Sequence, residues 1–90
     1  MSKYLDRLSA DEKSLKKEQA ELAEANAKAQ VEQKISNLKA NAATLKAAYN
    51  AALGSTSFSI DKVFGLTAEI ERNAKDLALA ETILANEFGA

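Results

Sequence analysis

Val31, Ile35, Leu38, Ala42, Leu45, Tyr49 and Ala52 recur in alternating steps of four and three, and this spacing constrains the chain more than any other feature. It lays one narrow apolar seam along a helix, the pattern of a helix that pairs lengthwise with another. A second series, Val63, Leu66, Ile70, Asn73, Leu77, Ala80 and Leu84, returns to the same spacing and ends at Phe88. Between them, Leu53-Gly54-Ser55-Thr56-Ser57-Phe58-Ser59 reads as a loop. Gly54 suits a left-handed position just past a helix, and Ser59 can cap the next one, with Asp61 in its first turn complementing the dipole. Closing the chain there sets Val63 near Tyr49, Ile70 near Ala42, Leu77 near Ile35 and Leu84 near Val31. The expected fold class is all-α, an antiparallel coiled-coil-like helical hairpin. Gly65, followed by Thr67 as a possible new N-cap, predicts a kink or a division in the return helix.

The N-terminal third is different in character. Met1, Tyr4, Leu5 and Leu8 fall on one face of a short amphipathic helix, a spacing also used by helices that insert into a groove on a partner. Ser9 to Glu12 reads as a capping box. From Ala10 to Lys28 charges dominate, with Leu8, Leu15 and Leu22 forming a thin stripe at every seventh residue. At 100° per residue this stripe lies roughly 150° from the Val31 to Ala52 seam, so one helix carrying both would meet different neighbours along its two halves. Two arrangements follow. Either the charged helix continues into the heptad helix as one rod, or it turns near Asn26 to Gln30 and folds back into a three-helix bundle. No Gly or Pro occurs before Gly54, and Glu24 to Gln30 is good helix sequence, which favours the rod.

With 90 residues the chain is one all-helical domain: a charged helix over 1–30, the heptad helix over 31–53, a turn over 54–59 and the return helix over 60–88. A core built by so short a chain alone is marginal, and association would relieve it. Lys plus Arg is 12 against 13 for Asp plus Glu, a net charge of -1, so the basic excess of a nucleic-acid binder is missing. Lys13, Lys16 and Lys17 are interleaved with Asp11, Glu12, Glu18 and Glu21, which argues against a phosphate site. No apolar stretch suits a signal peptide or a membrane span. The absence of Cys leaves the compartment open, an intracellular one being the commoner for such a chain.

Catalysis is not expected. Without His or Cys, nucleophilic dyads and His-containing metal sites are unavailable. Glu18, Glu21 and Glu24 stand one turn apart, but the di-metal bundles that use such spacing also need a His three residues after Glu. The GSTSFS loop lacks the glycine spacing and the Lys of a phosphate-binding loop. No cofactor or metal is expected.

Candidate contact surfaces are more informative. Ala40 to Ile60 carries one charge, Lys46. Opposite the seam, Ala40, Ala43, Ala47 and Ala51 form a smooth face that either permits close helix approach or reflects the helix propensity of Ala. Leu79 and Ile83 point away from Leu77 and Leu84 and ask for a third helical neighbour. Tyr4, Leu5, Leu8, Leu15 and Leu22 complete the candidate protein contacts, while Asn73, within the seam, is expected to fix register. The plan of a charged helix, a heptad seam, a Gly/Ser turn and a final helix is similar to that of small tailed-phage scaffolding and tail-assembly chaperone proteins. A hairpin of this length also resembles secreted WXG-type proteins and type III secretion needle subunits, although the turn carries neither Trp-X-Gly nor a Pro-Ser-X-Pro signal. The functional expectation is a structural or assembly protein acting through helix-helix contacts, with itself as partner. The alternative is an inhibitor or adaptor that docks its first helix or alanine face on another protein.

Overall fold

The computed structural model describes residues 3–6 and 17–89. Of these residues 91% are helical, and no strand occurs among them. The elements are α1 (Lys3–Asp6), α2 (Lys17–Leu53) and α3 (Ile60–Phe88), and the two long helices pack against each other as an all-α hairpin.

α2 follows directly from its composition: Ala, Leu, Lys, Glu and Gln dominate it, and no Gly or Pro interrupts it. At 1.5 Å per residue it extends about 55 Å. The backbone is helical throughout 24–30, so the chain does not turn there. The charged segment therefore continues into the heptad helix, as the rod arrangement expected, and among the described residues this continuous helix is Lys17–Leu53. The Tyr4 ring of α1 stacks on that of Phe88 with centroids 5.4 Å apart and planes at 26°.

Both helix ends around the turn have identifiable causes. The Gly54 amide still donates to the Asn50 carbonyl at 3.2 Å, extending the helical bonding pattern by one residue. Gly54 does not take the left-handed conformation expected of it; among the described residues that conformation belongs to Gly89, with φ 68°, just past the end of α3. Ser59 caps α3 as expected: its carbonyl accepts from the Val63 amide at 3.2 Å, and its hydroxyl accepts from the Lys62 amide at 3.4 Å. Within the turn the Ser57 amide donates to the Ser55 hydroxyl at 3.0 Å. The division expected at Gly65 is absent, since α3 runs unbroken through it. Thr67 starts no new helix; its hydroxyl donates back to the Val63 carbonyl at 2.9 Å, a bond that holds the side chain inside the helix.

The chain groups into two compact units. In the unit Ser36–Leu79, the seam residues Leu38, Leu45, Ala52, Val63 and Asn73 are buried, and Tyr49, Leu66, Ile70 and Leu77 are half-buried. Ala42 departs from the expected seam and is exposed. The neighbouring layer is polar, with the Asn73 carboxamide bonded to the Leu38 carbonyl and to Asn41, and the Ala42 methyl is the smallest side chain the seam could place there. In the unit Met1–Ile35 with Ala80–Ala90, Ile35 and Ala80 are buried, with Val31, Leu84 and Phe88 half-buried. No described side chain is fully buried, as expected where two helices pair and the seam stays open along its flanks.

Candidate helix-helix interface

Three groups of side chains stand out: the polar layer inside the hairpin, the outward faces of the long helices, and the aromatic contact made by α1.

Asn73 is 6% exposed, the most deeply buried of the described residues. Its carbonyl oxygen Oδ1 accepts from Asn41 Nδ2 at 2.8 Å, and its own Nδ2 donates to the Leu38 carbonyl at 2.9 Å. Among the described residues no buried side-chain nitrogen or oxygen lacks a partner. The position of Asn73 between Leu38 and Asn41 also agrees with the register that sets Ile70 opposite Ala42. Heptad spacing pointed to Asn73; it gave no sign of Asn41, which lies beside the seam and not in it.

Among the described residues, the outward faces carry large exposed apolar side chains. Leu79 is 60% exposed and Ile83 39%, as their positions away from Leu77 and Leu84 implied. Ala40, Ala43, Ala47 and Ala51 are all exposed on α2, where Thr44 bonds back to the Ala40 carbonyl at 3.2 Å and leaves the methyl face unchanged in character. Leu22 is 62% exposed, so the N-terminal stripe it was read from is not drawn into a core at that point. Leu8, Leu15 and the Ser9 to Glu12 box lie outside the described residues. Sequence reading missed a further set: Leu53, Phe58, Ile60 and Phe64 are also exposed, Phe64 at 65%. The available signal was Phe64 itself, a large aromatic one residue after the seam position Val63 and therefore turned about 100° from it.

Tyr4 and Leu5 are half-buried. Tyr4 is engaged within the chain by its stacking on Phe88, an arrangement aromatic pairs favour. Its apolar face is thus at least partly used before any partner arrives.

No three His, Cys, Asp or Glu side chains gather where they could hold a metal among the described residues, and no described helix is long and apolar enough to cross a membrane. No family model matches the chain, and no curated protein or solved structure matches it either.

Proposed function

We propose that this protein is a non-enzymatic structural or assembly component that works by helix-helix contact with further copies of itself. The observation that carries this reading is the uncovered apolar surface of α3, above all Phe64 and Leu79, each exposed by more than half on a helix whose other side already fills the seam. The uncharged alanine face of α2 supports it, because methyl groups let a second helix approach closely. Burying a side chain of this size contributes about 1.5–3 kcal/mol, which favours self-association and has to be joined by further contacts, such as the alanine face, to outweigh the freedom that association costs.

Size-exclusion chromatography with light scattering tests the proposal. The expected mass is an integral multiple of the chain at high micromolar concentration, and Phe64→Glu with Leu79→Glu should shift it towards one chain while leaving helicity unchanged. A wild-type monomer at that concentration, or an oligomer indifferent to both substitutions, would sink the reading. A second reading rests on the exposure of Leu22: a module that stays monomeric and docks the start of α2 on another protein. It predicts that a purified partner loses binding to Leu22→Glu and keeps binding to Phe64→Glu.

A further inference from the structure

The most buried residue of a pairing built from Leu, Ile, Val and Ala is a carboxamide, and both of its polar atoms are used. We propose that Asn73 and Asn41 together form a selection layer, which admits one register of α3 on α2 and rejects neighbouring ones. The inference does not depend on the assembly reading, since it concerns pairing inside one chain.

The heptad repeat alone leaves this choice open. Sliding α3 by seven residues returns apolar side chains to apolar positions, so packing discriminates weakly between registers. The polar layer changes that. In the observed register Asn73 finds both a donor, Asn41 Nδ2 at 2.8 Å, and an acceptor, the Leu38 carbonyl at 2.9 Å. One heptad towards the turn, the place of Asn41 is taken by Ala48, which has no side-chain hydrogen-bonding group. One heptad the other way it is taken by Lys34, a charged donor that would have to give up water to reach the seam. Either slip strands a buried polar atom or desolvates a charge, whereas the native register does neither. Asn41 itself is exposed, so it supplies the donor from the rim at little desolvation cost.

The test separates selection from stability. Asn73→Leu replaces the carboxamide by an apolar side chain of similar shape. Its melting temperature should rise, and its amide NMR spectrum should show a second set of peaks for α2 and α3, reporting more than one register. Asn41→Ala should instead melt at lower temperature, because Asn73 Oδ1 then lacks its donor in the native register. If Asn73→Leu keeps a single set of peaks with native contacts between Leu38 and residue 73, packing alone sets the register and the proposal is overturned. If Asn73→Leu fails to fold, the layer acts on stability and not on selection, which overturns it as well.

Discussion

Leu45 shows how a single position in a two-helix seam differs from one in a globular core. It is buried, yet none of the described side chains is buried completely, so each described seam residue keeps a narrow route to water. That route softens the effect of a polar substitution without removing it. Leu45→Asp is expected to lose about 3 kcal/mol or more, from the lost burial of Leu and the uncompensated charge, and a urea titration followed by circular dichroism measures it. Gly65 is the opposite case. It sits inside α3 with nothing within 4 Å of where a Cβ would stand, and its backbone is not left-handed. Gly65→Ala should therefore stabilise the protein by about 0.5–1 kcal/mol, from helix propensity and the reduced freedom of the unfolded chain. An unchanged or lower melting temperature would show that this position needs its glycine for a reason outside the chain.

At the level of elements, the cap of α3 is the point most open to measurement. The Ser59 hydroxyl accepts from the Lys62 amide at 3.4 Å, near the long limit of such a bond, so Ser59→Ala should cost about 0.5 kcal/mol, the low end of the range for N-caps. Thermal melts of the two proteins resolve that difference. Much of this level was legible beforehand. The two heptad series marked both long helices, and the turn between Leu53 and Ser59 followed from Gly54 and its Ser/Thr run, because period and turn chemistry are local properties. What failed was finer. Gly54 was assigned the left-handed conformation that Gly89 holds, since composition does not tell a helix that stops from one that adds a last bond. The division expected at Gly65 did not form: α3 is continuous through it, and the Thr67 hydroxyl bonds back to the Val63 carbonyl inside the helix and caps no new one. Ala42 fell out of the seam beside a layer that is polar. Of the exposed apolar residues, Leu79 and Ile83 were readable from phase, and so in principle was Phe64, one residue past the seam position Val63; Asn41 was not, as it lies beside the periodic positions and depends on what the opposite helix presents.

For the whole molecule, the division of labour between the faces of α3 is the organising fact. One side carries Val63, Asn73 and Ala80 inwards, and the other leaves Phe64 and Leu79 to whatever meets them. The turn that joins the pair has its own consequence. Phe58 stands exposed in a loop of small polar residues, the type of site a protease with aromatic preference reaches first. Cutting there with chymotrypsin should leave two fragments that stay paired at high concentration and separate on dilution, which gel filtration at falling concentration would detect. Fragments that stay together at every dilution would show that the seam holds without its loop. Six residues of loop thus act as a tether: they hold α3 near α2 at an effective concentration on the order of millimolar, so that a seam too weak to recruit a free helix from dilute solution is nevertheless filled in every intact chain.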